Sequence, residues 1–147
     1  MSVENVETVR NIYEGIRQMG GATALFALPD ATRKNLYDQL FDPELEIRQS
    51  AELVLDTVGT FYGYEGFIDC TRELVEGLGD IQFDPGQAYE SGDTVVFEVR
   101  ALATGKESGV PVQGRLAHLW ELKNGRVRRW VVYPTLAEAL EAAGLSE

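Results

Sequence analysis

Sulfur and imidazole are scarce in this chain, whose 147 residues include one cysteine, Cys70, and one histidine, His118. A lone thiol cannot close an internal disulfide, and the two residues together fall short of the three or four nitrogen and sulfur ligands of a usual zinc site. Only oxygen-ligated metals stay open. Positive charge is scarce too: 13 lysines and arginines face 24 aspartates and glutamates, for a net charge of -11. That balance opposes the phosphate neutralisation on which nucleic-acid binding depends, and it repels an anionic membrane surface. No stretch approaches the roughly 20 apolar residues of a membrane span, and Met1-Ser2-Val3-Glu4 lacks the basic segment and apolar run of a secretory signal. A cytoplasmic location is the expectation. There is no Gly-rich phosphate loop and no Gly-x-Ser-x-Gly elbow, which argues against a nucleotide-binding enzyme or a serine hydrolase. No organic or redox cofactor is implied.

What is present fits one globular domain over residues 1–147, with 44% apolar and 25% charged residues and no repeat or linker to divide it. Val6, Val9, Tyr13 and Ile16, flanked by Ile12 and Met19, share one face of a first helix that Ser2 starts and Gly20-Gly21 stops. Asp30 caps a second helix striped by Leu36, Tyr37, Leu40 and Phe41, and Asp42-Pro43 leads into a strand around Glu44 to Gln49. The segment from Ala22 to Pro29 is ambiguous, and Ser50 to Phe61 gives little signal. Phe67, Ile68, Thr71, Leu74, Val75 and Leu78 mark a third helix ending at Gly79. Four extended segments follow, near Ile81 to Glu90, Thr94 to Thr104, Val112 to Leu122 and Arg126 to Tyr133. Turn signals at Ser91-Gly92-Asp93, Gly105 to Pro111 and Asn124-Gly125 separate them. Thr135 and Glu138 stand in capping-box register for a last helix that runs through Ala143 to Gly144.

This order is α+β: a curved antiparallel sheet curled into a cone, with the helices gathered on one side, across its concave face. A two-residue turn at Asn124-Gly125 pairs Leu122 with Val127, Trp120 with Arg129, His118 with Val131 and Leu116 with Tyr133. By alternation these face inward with Val95, Phe97, Val99 and Ala101. Ala117, Leu119 and Trp130 then form an outer apolar patch among Glu98, Arg100, Arg115 and Arg128, which is the basis for expecting a homodimer. A bulge at the turn would shift the last strand by one residue and exchange Arg129 for Trp130 on the inner face.

The run Gly114 to Trp130, GRLAHLWELKNGRVRRW, followed by Val131-Val132-Tyr133-Pro134, resembles the last third of SnoaL-like proteins of the nuclear-transport-factor-2-like superfamily. Asp42-Pro43-Glu44-Leu45-Glu46 and Tyr62-Gly63-Tyr64-Glu65-Gly66 resemble the family's entry into its first strand and its turn into the third helix. The resemblance implies the cone-shaped α+β barrel and a pocket for a small apolar or carbonyl-containing molecule. It does not select a reaction, because the superfamily holds cyclases, isomerases, dehydratases, epoxide hydrolases and noncatalytic modules. His118 stands where the cyclases carry an acid/base aspartate, and Tyr13 resembles the oxyanion-hole tyrosine of the steroid isomerases. Ile47-Arg48-Gln49 lacks the carboxylate base those isomerases place there. Two acidic groups around an arginine, as in the epoxide hydrolases, cannot be set on the inner face.

His118 is therefore the candidate catalytic residue, a neutral imidazole able to take a proton from a carbon beside a carbonyl, or else a core histidine bonded to a neighbour. Tyr13, Tyr37, Phe97, Trp120, Arg129 and Tyr133 are the candidate pocket residues. Tyr13 and Tyr37 also serve helical stripes, and Tyr64 is a further hydroxyl of the same kind. Arg129 either orients a ligand oxygen or stacks on Trp120. Arg126 and Arg128 read as a solvated turn, and Cys70 as a packed, inert thiol. The leading expectation is a small-molecule protein with cyclase or isomerase chemistry, held beside a noncatalytic binding or dimerisation module, with epoxide hydrolysis or dehydration third.

Overall fold

The computed structural model describes residues 2–49, 59–104 and 111–145. Most of the expected turn from Gly105 to Pro111, and most of the Ser50 to Phe61 stretch, lie outside the described residues. Helix α1 (Ser2–Met19) turns its Val9, Ile12 and Tyr13 stripe into the core. It stops where Gly20 and Gly21 take positive φ and Gly21 N–H returns to the Ile16 carbonyl at 3.0 Å. Gly21 is required for a second reason: a Cβ there would collide with the Asp80 carboxylate, which accepts from Thr23 N–H at 3.1 Å. That bond anchors the ambiguous segment, which forms a short 3-10 helix (Ala22–Ala27).

Helix α2 (Asp30–Leu40) ends one residue before Phe41, which is extended and opens β1 (Phe41–Gln49). Strand β2 (Gly59–Tyr62) leads into α3 (Gly63–Leu78), and then come β3 (Ile81–Ser91), β4 (Thr94–Thr104), β5 (Pro111–Lys123), β6 (Arg126–Tyr133) and α4 (Leu136–Ala142). The six strands form one curved, unclosed sheet in the order β2-β1-β6-β5-β4-β3. The meander from β3 to β6 is antiparallel, as the short turns imply, but β1 lies parallel to β6. A parallel pair needs a long crossover, and here α3 and four strands separate the partners in sequence.

The hairpin between β5 and β6 departs from the simple register. Asn124 (φ 55) and Gly125 (φ 80) make the two-residue turn and Leu122 pairs with Val127, but a bulge next to Glu121 leaves Arg128 unpaired. Beyond it Glu121 pairs with Arg129, Trp120 with Trp130 and His118 with Val132. Trp130 therefore faces inward and Arg129 outward, the alternative register of the hairpin. The physical reason is burial: the bulge puts an indole rather than a guanidinium against Trp120, and an unpaired buried charge is the costlier choice.

Helices α1, α2 and α3 cover the inner face, where the principal core includes Val95, Phe97, Val99, Leu116 and Trp120. Not every helix gathers there. Helix α4 packs on the opposite face, and its Ala139 and Leu140 cover Val96, Ala117, Leu119 and Val131. Thr135 holds its start as expected, accepting from Glu138 N–H at 3.2 Å. The outer apolar patch on which the homodimer rested is consequently absent: Ala117 and Leu119 lie under α4 and Trp130 is inside. No described helix is long and apolar enough to cross a membrane.

Candidate functional site

Helices α1 to α3, the 3-10 helix and the inner sheet face enclose a cavity of about 100 Å³. Its walls are almost wholly apolar, with Ile16, Leu36, Leu74 and Phe83 among them, and Tyr13, Trp120 and Trp130 at the sheet side. Arg33 is the only charged residue among the described residues of the lining. It faces away in function, since Nε donates to Tyr64 Oη at 3.1 Å, Nη1 to the carbonyls of Leu25 and Leu28, and Nη2 pairs with Asp30. Those bonds fasten the 3-10 helix over the cavity. No carboxylate is among the described lining residues.

A polar cluster closes the sheet side. Trp120 Nε1–H donates to Tyr13 Oη at 2.9 Å, and Tyr13 Oη lies 2.8 Å from His118 Nδ1. The proton positions follow from the count. If Tyr13 donates its hydroxyl proton to Nδ1, every polar atom of the three side chains is paired except His118 Nε2, which then carries the imidazole proton. The other tautomer leaves both the tyrosine proton and the Nε2 lone pair without partners. That extra buried orphan costs about 1–3 kcal/mol, enough to assign the first arrangement. His118 Nε2–H and Trp130 Nε1–H are the buried side-chain donors without a partner among the described residues. Their rings meet edge to face, with centroids 5.2 Å apart, and Phe83 closes on His118 at 4.8 Å.

His118 is fully buried, and desolvation lowers its pKa to about 3. Burial also holds the Tyr13 hydroxyl well above its ordinary value, partly offset by the Trp120 hydrogen bond. Both groups are therefore neutral at ordinary pH. The imidazole presents an N–H toward its unpaired side, and its lone pair is occupied by Tyr13.

The other expected pocket residues divide. Tyr37 lines the cavity, but its hydroxyl donates to the Asp42 carbonyl at 3.1 Å, and burial with Asp42 and Asp38 nearby pushes its pKa up to about 12. Phe97 lies behind Tyr13, edge-on at 5.3 Å, outside the lining. Arg129 is neither in the pocket nor over Trp120; it stands on the outer face 3.5 Å from Glu46. Tyr133 packs with the α4 cluster on that same outer side. Both misplacements come from the one-residue shift of β6. Cys70 is buried beside Gln49, and desolvation pushes its pKa up to about 11, so it is an inert thiol.

Phe83 was not anticipated. Alternation along β3 from Ile81 carried the signal, but the register shift between Pro85 and Ala88 weakens the pattern beyond it. Tyr13 and Phe83 also line a groove between α1 and β3 whose other walls include Arg10, Arg17 and Asp84. These two rings partition the polar groove from the apolar cavity.

The SnoaL-like domain model matches residues 22–130. Comparison with curated proteins gives no match. Among solved structures, a SnoaL-like protein of polyketide-cyclase type from Jannaschia sp. CCS1 superposes with a TM-score of 0.68 at 18% identity, over 100% of this chain and 96% of that one. A nuclear-transport-factor-2-like protein from Burkholderia pseudomallei K96243 superposes at 0.67 with 20% identity, over 95% and 97% of the two chains. TerC, crystallised with polyporic acid, gives 0.68 at 18% identity over 95% and 97%. At these identities the likeness to solved structures shows the fold.

Proposed function

Because the chain belongs to the SnoaL-like domain family, we propose that it binds a small, largely apolar molecule in the cavity between α1, α2, α3 and the sheet. The observation that carries this reading is the cavity itself: about 100 Å³ of space left open where small-domain cores are ordinarily packed, walled by apolar side chains with a polar cluster at one side. A void of this kind costs stability, so its retention argues for an occupant. Its size suits a molecule of about one ring. Calorimetric titration with cyclohexanone and with methylenecyclohexane tests it. Saturable binding of one molecule per chain is expected, and Leu36→Trp, which fills the cavity, should abolish it. Failure of both molecules to bind would overturn the reading.

The second reading is acid/base chemistry of the cyclase or isomerase kind on a carbonyl compound. It is favoured by one observation, the pairing of His118 with Tyr13 on the inner strand beside the cavity. Two features weigh against His118 as the base: a pKa near 3 makes a poor proton acceptor, and Nδ1 is already engaged. Exchange of α-protons of a bound ketone with deuterated water would favour catalysis, and its absence favours the binding module. Epoxide hydrolysis and dehydration find no paired carboxylates among the described lining residues.

A further inference from the structure

We infer that the cavity is the inner half of a two-part site, and that the groove between α1 and β3 is the outer half, which takes the carboxylate end of an amphipathic ligand whose apolar end fills the cavity. The inference rests on the cavity-binding reading and adds a second compartment to it. A cavity of about 100 Å³ is small beside the roughly 300–1,000 Å³ of ordinary ligand pockets, and the groove offers about 440 Å³ directly beyond it. Tyr13 and Phe83 are the residues that line both spaces. Tyr13 is fixed by its bonds to Trp120 and His118. Phe83 is half-buried and rests only on other rings, with centroids 4.8 Å from His118 and 6.4 Å from Trp130. It stands on the last strand of the sheet, paired on one side only, two residues before the shift in register that begins at Pro85. Phe83 is therefore the movable half of the partition, and a turn of its ring joins the two spaces.

The polar side chains of the groove decide what it takes. Both of its carboxylates are already held, Glu14 by Arg17 at 2.9 Å and Asp84 by Arg100 at 3.1 Å, and Gln82 donates to the Gly20 carbonyl at 3.2 Å. Arg10 and Asn11, neighbours on α1, are left with no hydrogen bond or ion pair among the described residues. The Arg10 guanidinium lies over the Phe97 ring, 5.2 Å from its centroid, a contact that orients the group and uses none of its donors. A guanidinium fork beside an amide NH₂ matches a carboxylate, which accepts at both oxygens. An ammonium end would meet an unneutralised cation there.

The test compares 4-cyclohexylbutanoate with 4-cyclohexylbutanamide, which has the same shape and no charge, by calorimetric titration in about 0.15 M salt, where the field of the net charge of -11 is screened beyond about 8 Å. The carboxylate is expected to bind at least about fivefold more tightly than the amide, and Arg10→Gln, an exposed substitution, should shrink that ratio toward one. Leu36→Trp, which fills the cavity, should weaken both molecules, because the ring is then excluded from its compartment. Equal affinities of the carboxylate and the amide would overturn the inference, and cyclohexanone or methylenecyclohexane binding in the same protein would leave the cavity reading intact. Undiminished carboxylate binding to Leu36→Trp would also overturn it, since the groove would then act without the cavity. Binding of none of the four molecules would remove both readings.

Discussion

Tyr13 Oη joins two buried side chains that come from one strand, accepting from Trp120 Nε1 at 2.9 Å and standing 2.8 Å from His118 Nδ1. One hydroxyl thus links α1 to the centre of β5 and fixes the imidazole tautomer.

Removing that hydroxyl should be costly. Tyr13→Phe leaves the Trp120 N–H and His118 Nδ1 buried without a partner, for an expected loss of about 2–4 kcal/mol from two orphaned groups. Urea unfolding measures it. A loss below about 0.5 kcal/mol would show that the three side chains do not form the hydrogen-bonded chain described.

The pH dependence of stability follows from His118. Its pKa is about 3 in the folded state, against about 6.5 for an unperturbed histidine. Between these values the unfolded chain binds the proton and the folded chain does not, so this contribution is complete above about pH 6.5 and is lost as pH falls toward 3. The slope approaches about 1.4 kcal/mol per pH unit. It is best read between about pH 6.5 and 5, before most carboxylates titrate. The difference between wild type and His118→Asn in unfolding free energy should narrow across that window as pH falls. A constant difference would contradict a buried neutral imidazole.

The β6 register sets Trp130 against Arg129. Trp130 stacks on Trp120 at 4.8 Å inside the core, so Trp130→Ala should cost about 3–5 kcal/mol and Trp130→Glu should prevent folding. Arg129 makes one partly exposed ion pair with Glu46, so Arg129→Ala should cost less than about 1 kcal/mol. Chemical denaturation of the variants decides between the registers, and the reverse ranking would restore the unbulged hairpin.

Much of this architecture was legible in the chain because it is local. The α1 stripe through Val9 and Tyr13, the Asn124-Gly125 turn and the Thr135-Glu138 cap each need only a few neighbouring residues, and each stands as expected. So does the inward alternation of Val95, Phe97 and Val99 beside His118. What was not legible depends on distant partners. Neither Trp130 nor Arg129 announces a bulge, because an inner indole and an outer arginine become preferable only once Trp120 and Glu46 are in place. The Ala139 and Leu140 stripe shows that α4 packs, but not against which face. The parallel seating of β1 on β6 joins segments far apart in sequence.

The α4 cover gives a further expectation. Leu140→Asp should lift α4 from Val96, Ala117 and Leu119 and expose an apolar sheet face, raising self-association above that of the wild type. Sedimentation at equal concentration reads the change. Unaltered association with unaltered stability would mean that α4 does not shield that face.

The most direct measurement of small-molecule binding is to map which side chains respond to a saturating ligand. In methyl and indole NMR spectra with cyclohexanone, the expected shifts converge on the cavity, at the methyl groups of Ile16, Leu36 and Leu74 and the indole of Trp130. Shifts scattered over the surface, or none at millimolar ligand, would contradict the assignment of the cavity as the binding site.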